Sequence, residues 1–135
     1  MTNRIAERPT GLGVVAGYEP PFLELRERLE QLWRHQVDEV TEWTIRLHDT
    51  RAALGQVPAD HARVAAELAT IEAHLEAARR EFVELDGALA RFAKGSYGFC
   101  GHCGDSVAAN RLASLPSARL CASCQFWSRT QATGG

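Results

Sequence analysis

The sequence lacks a large excess of charge of either sign. Its 15 Lys and Arg residues are nearly balanced by 17 Asp and Glu residues, giving a net charge of -2 with His neutral. A protein that binds nucleic acid by bulk electrostatics needs a strongly basic face, so this balance argues against that class. A local patch of Arg111, Arg119 and Arg129 against Asp105 stays open beside the simpler interpretation of a solvated mixed surface.

The sequence also lacks a long apolar run. Among the first 21 residues the apolar run is Val14 to Ala16, which is too short for the core of a signal peptide. No other stretch approaches the roughly 20 apolar residues that a membrane span requires. We therefore expect a cytoplasmic protein, and in a reducing cytoplasm closely spaced cysteine pairs favour metal binding over structural disulfides.

A third absence concerns catalytic groups. No pair of nucleophile and base, phosphate-binding glycine loop or pair of carboxylates stands out in the sequence. The histidines of the helical stretches also lack the i, i+4 spacing of a helical metal site: His35, His48, His61 and His74. We therefore predict that the protein is not an enzyme.

All four cysteines of the chain lie in two C-x-x-C motifs, which are separated by the 17 residues from Gly104 to Leu120. That spacing falls within the window of about 15 to 20 residues that is typical of four-cysteine zinc sites. Four thiolates complete the tetrahedral coordination that Zn²⁺ prefers. We predict one structural Zn²⁺, with His102 as an exposed bystander and these ligands: Cys100, Cys103, Cys121 and Cys124.

The first motif, Cys100-Gly101-His102-Cys103, also has the form of a thiol–disulfide exchange site. A redox enzyme of that kind places the motif at the end of a strand in a thioredoxin-like fold. Here a long helical pattern and a glycine-rich turn precede the motif. An oxidoreductase is therefore the weaker interpretation of these cysteines.

Two long helical patterns precede the cysteines. Apolar residues recur every three or four positions from Phe22, after Pro20-Pro21, and this pattern stops at the break from Gly55 to Pro58. The second pattern begins near Asp60 and alternates spacings of four and three, the signature of a coiled-coil seam. Its seam positions are Val64, Leu68, Ile71, Leu75, Ala78, Phe82, Leu85, Leu89 and Phe92.

These patterns predict a mainly α fold: an antiparallel two-helix coiled-coil hairpin with a small C-terminal four-cysteine zinc finger and a short terminal helix. Phe126 and Trp127 are expected to pack that last helix onto the zinc finger. The predicted divisions are a flexible leader at 1–19, the hairpin at 20–94 with its tip at about 55–62, the zinc finger at 95–129 and a disordered tail at 130–135.

The residues around the cysteines resemble the zinc finger of the DksA/TraR family of bacterial transcription regulators. The resemblance includes positions that bind no metal, Tyr97-Gly98, Arg111-Leu112 and Pro116, as well as the cysteines themselves. The long upstream hairpin is similar to that of the longer, DksA-like members. In all, the resemblance extends from about Pro20 to Trp127.

The resemblance implies a regulator that binds RNA polymerase, inserts its hairpin through the secondary channel and changes the stability of promoter complexes. The family's tip motif, Asp-x-x-Asp-x-Ala, falls on residues 57–62 when counted back from Cys100 without a gap. Asp60 and Ala62 match the motif, whereas Val57 replaces its first Asp. Asp60 is therefore a candidate helix cap and also the candidate effector of the tip.

The same resemblance bears on the partners. Some members bind ppGpp through cationic side chains, but this sequence has Ala77, Glu84 and Gln125 at the matching positions. None of these is cationic, and the carboxylate of Glu84 would repel a polyphosphate. We therefore expect weak or absent ppGpp dependence at that site, no sequence-specific DNA binding, no membrane association and a monomeric protein.

Two other functions stay open at this stage. A Gre-like factor acting through the same channel would need a pair of tip carboxylates to hold a second metal ion. Asp60 stands nearly alone at the tip, and Asp49 lies about two turns down the first helix. A zinc ribbon that binds nucleic acid would use the arginines of the C-terminal region: Arg111, Arg119 and Arg129.

Overall fold

The computed structural model describes residues 20–56 and 60–134, and side chains as far as residue 131. The helices in this part of the chain are α1 (Pro20–Leu54), α2 (His61–Lys94), α3 (Ala109–Ser114) and α4 (Ala122–Gly134). These described residues contain no named strand, and Phe99 and Ser106 form an isolated antiparallel bridge. The predicted fold class is confirmed: two long helices form a hairpin, followed by a four-cysteine site and a short terminal helix.

Two of the sequence predictions concern residues outside this description. The leader at 1–19 is one, and Val57 of the tip motif is the other. Within the described ranges, no helix combines the length and the apolar character that crossing a membrane requires.

The long helices end where the sequence places helix-stopping residues. Helix α1 stops at Leu54, directly before Gly55, and α2 stops at Lys94, directly before Gly95. Gly95 has a φ of 80°, a left-handed conformation that glycine adopts without a steric penalty. Its N–H donates to the carbonyl of Phe92 at 3.1 Å and the N–H of Ser96 donates to Arg91 at 2.9 Å, the paired bonds of a Schellman cap.

The chain divides into two compact units, one of which comprises residues 32–84. Of its predicted seam residues on α2, Leu68 and Phe82 are half-buried and the others are buried: Val64, Ile71, Leu75 and Ala78. Trp33 of α1 packs against Phe82 of α2 with ring centroids 5.7 Å apart. The amide of Gln36 donates to the carbonyl of Ala78 at 3.3 Å, so polar as well as apolar contacts join the helices here.

In the other unit, the described residues are 20–31 and 85–134. The core of this unit is built around Tyr97, whose ring stacks on Phe92 at 4.0 Å and meets Phe22 edge-on at 6.1 Å. The fully buried Tyr97 hydroxyl donates to the carbonyl of Pro116 at 2.7 Å. A buried phenol needs such a partner, so this hydrogen bond fixes the Pro116 loop against the helices.

The predicted disordered tail at 130–135 differs from the structure, because α4 continues to Gly134. Residues 130–133 contain neither Gly nor Pro, so nothing in the backbone stops the helix before Gly134. The Thr130 hydroxyl also donates to the carbonyl of Phe126 one turn earlier, which satisfies that polar group within the helix.

Candidate metal centre and hairpin tip

The structure brings together the four cysteines of the two C-x-x-C motifs, Cys100, Cys103, Cys121 and Cys124. Their sulfur atoms all lie within 4.8 Å of one another, and Cys103 Sγ and Cys121 Sγ are 3.9 Å apart. Zn–S bonds of about 2.3 Å in a tetrahedron place sulfurs about 3.8 Å apart, so the cluster has the dimensions of a zinc site.

The backbone of each C-x-x-C motif supports its first thiolate. The N–H groups of His102 and Cys103 each approach Cys100 Sγ at 3.4 Å, and the N–H of Cys124 approaches Cys121 Sγ at 3.5 Å. Such N–H donors orient the sulfur and stabilise its negative charge. Both motifs therefore present their first sulfur in the same way.

The turns at the first motif are held by further backbone bonds. Gly104 has a φ of 83° and donates its N–H to the Cys100 carbonyl at 3.0 Å, a turn that a residue with a Cβ would adopt only under strain. The N–H of Gly101 donates to the Arg119 carbonyl at 2.8 Å, which ties the first motif to the segment before the second. The 17-residue spacer thus closes into a site with both motifs facing each other.

The thiols differ in their acidity. Burial is the largest influence on Cys100 and raises its pKa, but backbone groups of both motifs outweigh burial and bring the pKa down to about 6. Desolvation and the neighbouring thiols raise the pKa of Cys124 to about 12. The backbone of Asp105 lowers the pKa of Cys103, but desolvation and the Cys100 thiol outweigh it, and the net shift is upward.

The raised pKa values of Cys103 and Cys124 are those expected of sulfurs crowded together, because each thiolate disfavours another beside it. A divalent cation supplies a compensating positive charge and lets all four thiols become thiolates. Four thiolates are soft ligands, and with no position left open they form a structural rather than a catalytic site. The cluster is therefore a C4 site for one structural zinc ion.

Arginine side chains fasten this region by donating to backbone carbonyls. Arg111 Nε donates to Leu120 at 2.9 Å, beside the second motif. Arg91 of α2 donates to Ser117 at 3.3 Å and Arg28 of α1 donates to Ala113 at 2.7 Å. Sequence reasoning missed Arg28 and Arg91, since no local pattern links an arginine to a carbonyl 85 or 26 residues away.

The residues after the second motif depart from the prediction that they pack onto the zinc finger. Phe126 is 71% exposed and Trp127 is 55% exposed. Trp127 contacts the first motif through its stack on His102, with ring centroids 5.9 Å apart. Phe126 and Trp127 are neighbours on α4, the helix that carries Cys124. Most of the surface of each side chain is exposed to solvent.

The described tip residues lie at the start of α2. Asp60 directly precedes His61, the first residue of that helix, and its carboxylate accepts from Arg63 Nη2 at 3.4 Å. Arg63 Nη1 also lies 3.9 Å from Glu67 Oε1. Ala62 is exposed in the first turn of α2, two residues after Asp60.

Comparisons with known proteins agree with this arrangement. Residues 95–126 match the model of the prokaryotic DksA/TraR C4-type zinc finger. The structure of transcription factor DksA2 from Pseudomonas aeruginosa superposes with a TM-score of 0.75 and 22% identity, over 96% of this chain and 95% of that one. The chain thus contains a segment similar to the DksA/TraR zinc finger within a fold similar to that of DksA2. An uncharacterized protein of Aquifex aeolicus (strain VF5) is 44% identical over 41 residues, 30% of this chain and 28% of that protein.

The positions expected to decide ppGpp dependence lie on two helices. Ala77 and Glu84 are exposed on α2, and Gln125 is half-buried on α4. Glu84 shares its surface with Glu76, Arg79 and other residues of α2. Weak ppGpp dependence at these positions stays a prediction.

Proposed function

We propose that this DksA-like protein is a bacterial transcription regulator that binds RNA polymerase. The observation that carries the proposal is the DksA-like fold over 96% of the chain, shared with a solved transcription factor, together with the matching zinc finger. In this proposal the hairpin enters the secondary channel of the polymerase and its tip changes the stability of promoter complexes. The protein acts by binding, without a reaction of its own.

The geometry of the helices suits this mode of action. Helices α1 and α2 have 35 and 34 residues, and each is about 50 Å long at 1.5 Å per residue. Asp60 stands at the end of α2 that is remote in sequence from the cysteines, where it can approach a partner's interior. The four cysteines that would hold the zinc ion follow the other end of α2 along the chain.

A Gre-like cleavage factor is a weaker alternative. Such chemistry needs a pair of carboxylates that can hold a second metal ion. In this structure the Asp60 carboxylate is paired with the Arg63 guanidinium. Asp49 lines a groove with Trp43, Arg46 and other residues of α1 and α2, a group that does not include Asp60.

A zinc ribbon that binds nucleic acid is also disfavoured. Arg111, one of the three arginines expected to contact phosphates, donates its Nε to the Leu120 carbonyl and is half-buried. Arg119 and Arg129 remain on the exposed surface. Two surface arginines are too few for the basic face on which such binding depends. We therefore propose a polymerase-binding monomer in the cytoplasm without sequence-specific DNA binding.

The proposal is tested by adding the purified protein and its Asp60→Asn variant to RNA polymerase, and by measuring both binding and promoter-complex lifetime. We expect the wild type to bind and to change the lifetime. The variant should bind within about twofold of the wild type, since an exposed polar substitution changes little else, and should lose the effect on lifetime.

The matched control is Glu81→Gln, which removes one carboxylate from an exposed position of α2 away from the tip. This variant should behave like the wild type in both measurements. If the wild type neither binds the polymerase nor alters the lifetime, the proposed function is wrong. If Asp60→Asn keeps the full effect, the polymerase is still the partner but the tip carboxylate is not the effector.

A further inference from the structure

The charged groups at the tip form a connected set rather than a lone carboxylate. Arg63 lies between two acids, with Nη2 3.4 Å from Asp60 Oδ2 and Nη1 3.9 Å from Glu67 Oε1. The spacings along the chain are three and four residues, which place all three side chains on one face of the helix start. The guanidinium therefore engages each acid with a different nitrogen.

The position of this set on the helix makes it accessible. Val64, the next residue after Arg63, is only 6% exposed and belongs to the seam. The side chain of Arg63 is 68% exposed and that of Asp60 is 49% exposed. Asp60 and Arg63 thus stand on the outer side of the first turn, where a partner would meet both at once.

We propose that Arg63 is a positioning residue for Asp60, so that the effector at the tip is the Asp60–Arg63 pair. This inference rests on the proposed function. Arg63 restricts the rotamer of the aspartate and fixes one carboxylate oxygen, which leaves the other to be presented in a defined direction. When a partner surface displaces water from the tip, the lower effective dielectric strengthens the attraction between the two groups.

The size of the effect is bounded by the exposure of the pair. Solvent-exposed ion pairs are weak, so Arg63 serves to orient the carboxylate and contributes little to the stability of α2. Its influence should be visible in the action on promoter complexes and not in the thermal unfolding of the free protein. This difference separates a positioning role from a structural one.

The test is a double-mutant cycle with Asp60→Asn and Arg63→Met, read out as promoter-complex lifetime with RNA polymerase. Met has a helix propensity close to that of Arg, so the helix is preserved. We expect Arg63→Met alone to weaken the effect on lifetime by about two- to fivefold, the range of an exposed ion pair. In the Asp60→Asn background the same substitution should change nothing.

Two further variants complete the test. Arg63→Lys keeps a positive charge within reach of Asp60 and should restore part of the effect, although Lys lacks the planar fork of Arg. Arg80→Met removes an equally exposed arginine, paired with Glu76 at 3.5 Å on the same helix, and should leave the lifetime unchanged. Polymerase affinity should stay within about twofold for all of these variants.

The outcomes separate this inference from the proposed function. If Asp60→Asn abolishes the effect but Arg63→Met is silent, Asp60 acts alone and the inference fails while the proposed function stands. A loss from Arg63→Met that Arg63→Lys does not restore at all would also overturn it, since the positive charge beside Asp60 would then have no role. If the wild type has no effect on the polymerase at all, it is the proposed function that fails.

Discussion

At the scale of single residues, the Tyr97 hydroxyl is the group whose contribution to stability can be isolated best. It is fully buried and donates to the Pro116 carbonyl at 2.7 Å, between segments 19 residues apart. Replacing Tyr97 with Phe removes the donor and leaves a buried carbonyl unpaired. We expect Tyr97→Phe to lower the free energy of unfolding by about 1 to 3 kcal/mol, as measured by urea denaturation.

The matched control is Thr41→Val, which also removes a hydroxyl that donates to a backbone carbonyl, here Val37 at 2.8 Å. Thr41 is exposed, so water can replace the lost bond, and the change should stay within about 0.5 kcal/mol. An equal loss in the free energy of unfolding for the two variants would mean that burial does not determine how much the Tyr97 hydrogen bond contributes to stability.

At the scale of the helix, one glycine within α2 and one directly after it should respond in opposite ways to replacement. Gly95 closes the helix with a φ of 80°, so Gly95→Ala forces a Cβ into the left-handed region and should destabilise the protein by about 1 to 2 kcal/mol. Gly87 lies within α2, and an added Cβ would meet only Arg91 Nη1, at an ordinary 3.6 Å. Gly87→Ala should therefore stabilise the protein by about 0.5 to 1 kcal/mol.

Thermal and urea unfolding of the two variants side by side measure this difference in sign. The two substitutions add the same methyl group, one within α2 and one directly after it, so each controls for the other. A stabilising Gly95→Ala would show that the Schellman cap at the end of α2 does not require a left-handed residue.

At the scale of the whole molecule, zinc binding and pH should be coupled. Without metal, Cys103 and Cys124 hold protons at neutral pH, because their thiol pKa values are raised, that of Cys124 to about 12. The metal-bound site needs thiolates, so binding releases these protons and zinc affinity rises with pH, about tenfold per pH unit for each proton. Below the Cys100 pKa of about 6 a further proton competes, and the affinity should fall more steeply as the pH drops.

Competition with a chromophoric zinc chelator at pH values above and below 6 measures the zinc affinity. The pH change on adding zinc to a weakly buffered solution counts the released protons. Removing the zinc should lower the melting temperature, since a ligand bound only to the folded state stabilises it. A zinc affinity that does not depend on pH would contradict the protonated state assigned to Cys103 and Cys124.

Much of this architecture could be predicted from the sequence, because the signals are local. The C-x-x-C spacing predicts the four zinc ligands, and alternating intervals of three and four residues predict the seam positions of α2. Pro20, Gly55 and Gly95 mark helix boundaries that the structure reproduces. In each case the geometry of one helix or one turn decides the outcome, and neighbouring residues are enough to specify it.

The remaining features depend on how the chain folds back on itself. Arg28 reaches a carbonyl 85 residues away, and the Tyr97 hydroxyl finds Pro116 only once the spacer has closed. The exposure of Phe126 follows from the direction in which α4 leaves the second motif, and apolar character alone suggested burial. The sequence by itself determined the helices, their ends and the zinc ligands, because those depend on spacing. Only the tertiary structure decided which polar groups meet across the fold, because such contacts form between segments that sequence distance does not relate.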